Sequence, residues 1–108
     1  MHPYEVMVMF VPEAEDARQD EIIARIRQIA ESAGGRFESA DAWGRRKLAY
    51  EIDHKGEAFY HVIALTTTTE ALAEINRVLK ITDDVLRHMS VRRSERSGGT
   101  VDEAVPVA

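Results

Sequence analysis

Three consecutive cations, Arg45, Arg46 and Lys47, follow an indole and a glycine in the run Trp43-Gly44-Arg45-Arg46-Lys47. A guanidinium group donates two parallel hydrogen bonds to a phosphate from a planar fork, and a lysine adds a compact point charge. Grouped on a stiff backbone, such residues hold a polyanion by its phosphates and fix its register without reading its bases. The next five residues supply the stiffness: Leu48, Tyr50 and Ile52 alternate with Ala49 and Glu51, the period of two of a half-buried strand. Gly44 has no Cβ to limit its φ, so the backbone can bend or bulge beside the indole. The same residues would also suit an ordinary solvated strand end, so the rest of the chain has to decide between the two.

Chemistry of other kinds is not encoded. The chain has no Gly-x-x-x-x-Gly-Lys loop, no dinucleotide fingerprint and no His-Glu-x-x-His pair. His2, His54, His61 and His88 are scattered, and His61 reads as a core-edge or partner-facing ring rather than a general base. Ser32, Ser39 and Ser90 lack a nucleophile elbow, and Asp83-Asp84 reads as a turn before it reads as a catalytic pair. Cysteine is absent, which excludes disulfides, thiol catalysis and cysteine zinc sites and fits a reducing compartment. No cofactor, metal or small-molecule substrate is expected. Lys55-Gly56-Glu57-Ala58-Phe59 partly matches an RNA-recognition signature, but Glu57 stands where an aromatic should stack on a base.

The elements that position these residues follow from periodicity. Tyr4 to Val11 reads as a strand with Tyr4, Val6, Val8 and Phe10 on one face, and Met7 and Met9 on a second face that is also apolar. From Asp16, a candidate N-cap, Ile22, Ile26, Ile29 and Ala33 recur at helical spacing until Gly34-Gly35 stops the helix. Arg36 to Ile52 reads as one long, bent strand, Asp53 to Gly56 as a turn, and Phe59 to Leu65 as its hairpin partner. Thr67 with Glu70 matches a capping box before a helix carrying Leu72, Ile75 and Leu79. Val85 to Arg92 is the last strand, its inward face obscured by His88 and Ser90.

The order strand, helix, strand, strand, helix, strand specifies an α+β, ferredoxin-like βαββαβ fold: a four-stranded antiparallel sheet with two helices on one face. The other face is then expected to be uncovered. The 108 residues suit one domain, read as 1–93, followed by a flexible tail, 94–108, rich in Ser, Gly and small residues. Net charge is −5, from 14 Lys and Arg against 19 Asp and Glu, which argues against indiscriminate nucleic-acid binding but leaves room for a local site. No apolar run reaches the ~18–20 residues of a membrane span and no signal-peptide pattern is present, so a cytoplasmic protein is expected.

Tyr4-Glu5-Val6, the run Trp43-Gly44-Arg45-Arg46-Lys47-Leu48-Ala49-Tyr50-Glu51-Ile52, and Val85-Leu86-Arg87-His88-Met89 resemble the bacterial ribosomal protein S6 family of the small subunit. The similarity covers Tyr4 to Arg93. His2-Pro3 departs from the arginine that commonly precedes the Tyr-Glu pair, replacing a permanent cation with a mostly neutral ring. The resemblance implies a non-enzymatic protein that binds the central domain of small-subunit (16S) ribosomal RNA as a heterodimer with ribosomal protein S18. On this reading Arg45, Arg46, Lys47, Arg87, Arg92 and Arg93 contact phosphates, and Tyr4 adds a hydroxyl bond or a stack. Met7, Met9, Tyr60 and Val62 on the uncovered face take the partner protein. Two other classes share the topology: a free RNA-recognition-motif-like regulator, and a small dimeric ferredoxin-like enzyme using the open face as a pocket around His61.

Overall fold

A computed structural model of the chain describes residues 1–52 and 54–93. Its elements run β1 (His2–Phe10), α1 (Asp16–Ser32), β2 (Arg36–Ile52), β3 (Lys55–Thr67), α2 (Thr69–Ile81) and β4 (Val85–Arg92). They form one sheet in the order β2-β3-β1-β4, every neighbouring pair antiparallel. This is the βαββαβ arrangement expected from the periodicity. The tail read as 94–108 lies outside the described residues, as does Asp53 of the expected turn.

Both helices pack on one sheet face because the apolar stripes meet there. Tyr4, Val6, Val8 and Phe10 of β1 and Ile63 and Leu65 of β3 join Ile22, Ile26 and Ala30 of α1 and Ile75 and Leu79 of α2 in a single core. β4 resolves the ambiguity its sequence left. Its register sets His88 and Ser90 beside Val8 and Val6, on the helix side, where the Ser90 hydroxyl donates to Asn76 Oδ1 at 2.8 Å. Arg87 and Met89 sit beside Met9 and Met7 on the far side.

The helix ends show where sequence signals act and where they slip. α1 begins at Asp16, whose N-cap neighbour Glu15 makes no side-chain cap bond, so Asp16 is a first-turn acid and not the cap. At its C-terminus Gly34 N–H donates to Glu31 C=O and Gly35 N–H to Ala30 C=O, the paired bonds of a Schellman ending, with Gly34 at φ +87°. The cap of α2 is Thr68, which accepts from Ala71 N–H at 3.1 Å and is worth about 1 kcal/mol. Thr67, the expected cap, belongs to β3 and turns its hydroxyl inward to Ala30 C=O.

The helix-free face is not open at its centre. Met7 and Tyr60 are 5% exposed and Met9 1%, in a second cluster with Leu48 and Ala58, flanked by Ile52, Val62 and Leu86. The end of β2 makes this possible: pairing slips between Lys47–Glu57 and Ile52–Lys55, and Leu48 joins Met7 and Met9 in one cluster. The expectation of an uncovered apolar face is corrected here, although half-buried Val62, Met89 and Val91 still reach the surface. Tyr50, expected on the buried side of its strand, is 59% exposed.

A buried polar pair missed by the periodicity ties α1 to the sheet. Gln19 Nε2 donates to Ala14 C=O at 2.8 Å, which turns its Oε1 toward His61 Nε2 at 2.7 Å. Burial lowers the His61 pKa, opposed by the charges of Asp20 and Asp16 on α1. Burial likewise lowers that of His88, helped by Lys80 on α2.

A histidine whose folded pKa lies below its unfolded value stabilises fully above the unfolded pKa, about 6.5, and loses that contribution as pH falls through the folded one. Stability should therefore decline as pH falls below about 6.5, before the range in which the lowered Glu13, Glu38 and Glu74 act. In His61→Leu the decline should shrink to the His88 share, while stability at pH 7.5 drops by about 1–3 kcal/mol because the Gln19 carbonyl loses its donor. Urea melts across that pH range measure both.

Gly35 sits where the end of α1 touches the sheet. A Cβ there would meet Thr66 C=O at 2.1 Å and Ala30 C=O at 2.9 Å, both backbone. Gly35→Ala should cost about 3 kcal/mol or more in a denaturant melt.

Candidate nucleic-acid interface

β2 is an edge strand, and its charges are set by one extra residue. Ala42 pairs with His61 and Gly44 with Tyr60, leaving Trp43 as the bulged residue, with Gly44 at φ +81°. Left-handed backbone of this kind favours glycine. The bulge puts the indole over the Tyr60 ring, centroids 6.4 Å apart and planes 3° from parallel. The Gly44 bend expected from sequence is present.

Downstream of the bulge, alternation separates the three cations. Arg45 pairs with Phe59 on the helix side, its guanidinium 5.0 Å from that ring and 3.4 Å from the Glu57 carboxylate. Lys47 shares that side, opposite Glu57. Arg46 pairs with Ala58 on the helix-free side, lies 5.8 Å from the Trp43 ring and donates from Nε to Trp43 C=O at 3.2 Å. The run is thus two cations on one side and one on the other, rather than a single patch.

Arg46 is joined from across the sheet. Gly44, Tyr60, Met9 and Arg87 stand in one transverse row, one residue per strand. Tyr60 feels the result: burial raises the pKa of its hydroxyl, and Arg46 and Arg87 both pull it down. Arg87 is exposed. Among the described arginines, Arg25, Arg46, Arg87 and Arg92 have no carboxylate within 4.0 Å, and Arg25 is hydrogen-bonded to Gln28.

The remaining expected residues sit elsewhere. Arg92 is exposed beside Tyr4, at the opposite end of the sheet from the hairpin. Arg93 is only 14% exposed in its side chain and donates to Glu38 at 2.7 Å, while its N–H donates to Pro3 C=O. Glu38 also accepts from the Thr66 hydroxyl, and that bond first, then Arg93, holds its carboxyl below the usual carboxylate range. Tyr4 is 5% exposed within the helix-side core, so its ring offers no face to a base. The pairing roles of Glu38 and Glu57 are not legible in sequence: Glu57 stands out there only as a departure from the RNA-recognition signature, the hairpin register places it opposite Lys47, and Glu38 meets a residue 55 positions away.

Two alternative classes lose their geometry. The RNA-recognition signature needs its final aromatic on the exposed sheet face, but Phe59 packs against the helix-side core. His61 also faces the helices, so it cannot line a pocket on the other face. Among the described residues no cluster of His, Asp or Glu fits a metal, and no helix is long and apolar enough to cross a membrane.

Fold and surface together define a ferredoxin-like domain that displays cations and stacked aromatics on a sheet, with no assembled catalytic group among the described residues. The family model for ribosomal protein S6 matches residues 3–92, and the chain belongs to that family. It is 43% identical over 95 residues to small ribosomal subunit protein bS6 of Symbiobacterium thermophilum, covering 88% of this chain and all of that one. The bS6 protein of Desulforamulus reducens is 37% identical over the same share of each chain. The crystal structure of 30S ribosomal protein S6 from Thermotoga maritima superposes with a TM-score of 0.78 at 27% identity, covering 85% of this chain and 87% of that one. The C-terminal domain of MgtC from Mycobacterium tuberculosis shares the fold alone, with a TM-score of 0.59 at 16% identity. The family is one of structural ribosomal proteins, not enzymes.

Gly44→Ala tests the bulge. A Cβ there meets nothing within 4 Å, so its cost is backbone strain alone, about 1 kcal/mol. Gly56→Ala, equally open and without a positive φ, should stay within about 0.5 kcal/mol of the parent. Thermal melts of the two variants side by side check the difference.

Proposed function

We propose that this chain is a positioning protein of the small ribosomal subunit that binds the central domain of 16S ribosomal RNA together with ribosomal protein S18, as a heterodimer on a cytoplasmic ribosome. The observation that carries this reading is the family match across residues 3–92. The surface chemistry agrees with it. Among the described residues Arg46, Lys47, Arg87 and Arg92 have no carboxylate partner, and all four are exposed, which supports their pairing with phosphates. Arg45 and Arg93, first expected in the same role, are engaged by Glu57 and Glu38 and shape the sheet that carries the others.

The partner protein takes the far half of the helix-free face. There Val62, Met89 and Val91 remain half-buried above Met7, while Met9 and Tyr60 form the boundary with the cationic half. A body of net charge −5 repels a polyanion at long range. Shared binding offsets that repulsion, because each protein adds contacts the other lacks and the two affinities become coupled.

In a filter-binding assay at fixed salt, a 16S central-domain fragment should bind this chain about tenfold or more tightly when S18 is present. Equal affinity with and without S18 would remove the heterodimer, and failure of both to bind would remove the proposal.

A further inference from the structure

We infer that the RNA backbone crosses the helix-free face transversely, from Arg46 on β2 to Arg87 on β4, passing over the Trp43–Tyr60 pair. This rests on the proposed function and specifies a path for the RNA.

The path follows from which cations are both free and aligned. Among the described residues Arg46 and Arg87 lack carboxylate partners, and they flank the same tyrosine on the same face. The third exposed arginine without a partner on the sheet, Arg92, is at the other end of β4, five residues from Arg87. Strands lie about 4.8 Å apart, so the three gaps from β2 to β4, with the two-residue offset of Arg46 from the row of Arg87, place the two backbones about 16 Å apart. Extended arginine side chains from either side then leave a gap that consecutive phosphates of one strand can fill.

The floor between them suits a nucleic acid. Met9 is buried and Tyr60 nearly so, which leaves no carboxylate in the row Gly44–Tyr60–Met9–Arg87. The nearest acids in register on this face, Asp41 beside Val62 and Glu5 beside Ala64, lie two and four residues along β3 from Tyr60. That is about 7 and 13 Å away at the rise of a strand. Trp43, 38% exposed beside Arg46, supplies a π-surface at the edge of the path.

Two adjacent residues of this chain decide the direction. Arg45 and Arg46 are neighbours of the same type, yet the bulge sets a phase that sends one to Glu57 and the other to the helix-free face, two residues along β2 from the row that ends in Arg87. A path along β2 would use both; a path across the sheet uses only Arg46.

The test is the salt dependence of binding to the 16S central-domain fragment with S18 present. Arg46→Gln with Arg87→Gln should reduce the slope of log affinity against log salt by about 1.5–2, and weaken binding about tenfold or more. Arg45→Gln should leave that slope within about 0.3 of the parent. The chain has one tryptophan, so the emission lost in Trp43→Phe isolates Trp43 even in the mixture. That emission should change on saturation with RNA in the parent and change less in the double variant. An unaltered slope in the double variant, or an equal loss in Arg45→Gln, overturns the transverse path while leaving the proposed function standing. No binding by the unmodified pair overturns both.

Discussion

One extra residue in an edge strand decides which side chains of this protein can act together. A strand alternates its side chains with strict period two, so a single insertion reverses every assignment beyond it. At Trp43–Gly44 that reversal places the indole against Tyr60, sends Arg45 to the helix side and turns Arg46 to the far side. Without the bulge, Arg46 would face the helices with Phe59 and Glu57, and Arg45 and Lys47 would take the far side in its place. Gly44 tolerates the φ of +81° the bulge needs, and the open space around it shows that conformation, not crowding, selects the residue.

The same geometry sorts the charges by use. Exposed ion pairs contribute little to stability, so Arg45–Glu57 is better understood as orienting its neighbours than as holding the fold. Arg93–Glu38 differs, because Arg93 is largely buried, its carboxylate partner is fixed by Thr66, and its backbone is pinned to Pro3. It joins the end of β4 to the start of β2, the two edges of the sheet. A cation held in this way is withdrawn from solvent and from ligands together, which is why a basic residue at the end of the last strand need not be a binding residue.

The architecture was legible because its signals are local and redundant. The alternation in Tyr4–Phe10 and Phe59–Leu65, the isoleucine spacing of α1 and the double glycine each specify one element, and the order of elements leaves few topologies. What was not legible depends on pairing. The side taken by His88 and Ser90 is set by their neighbours Val8 and Val6, 80 or more residues away in sequence, through a bulge between Met9 and Phe10. The α2 cap slipped from Thr67 to Thr68 because four consecutive threonines offer equivalent side chains, and only the inward turn of Thr67 excludes it. Tyr4 was matched to a role by position in a motif, while its register with Leu65 and the helix-side core claims the ring for packing.

The burial of Met7, Met9 and Tyr60 changes what the helix-free face can do. An apolar face left open would be a hazard in the free protein, since a large exposed patch invites association with any partner. Closing its centre with Leu48 and the neighbouring aromatics leaves a rigid, mostly satisfied floor with charges at its two edges. Such a surface gains little from burying more apolar area and much from placing an anion correctly, because the planar guanidinium fork loses little freedom for each hydrogen bond it forms. On the proposed function, an acidic protein holds RNA selectively: its net charge opposes contact everywhere, and contact is favoured only where the bulge and the cross-strand register have put unpaired cations on one face.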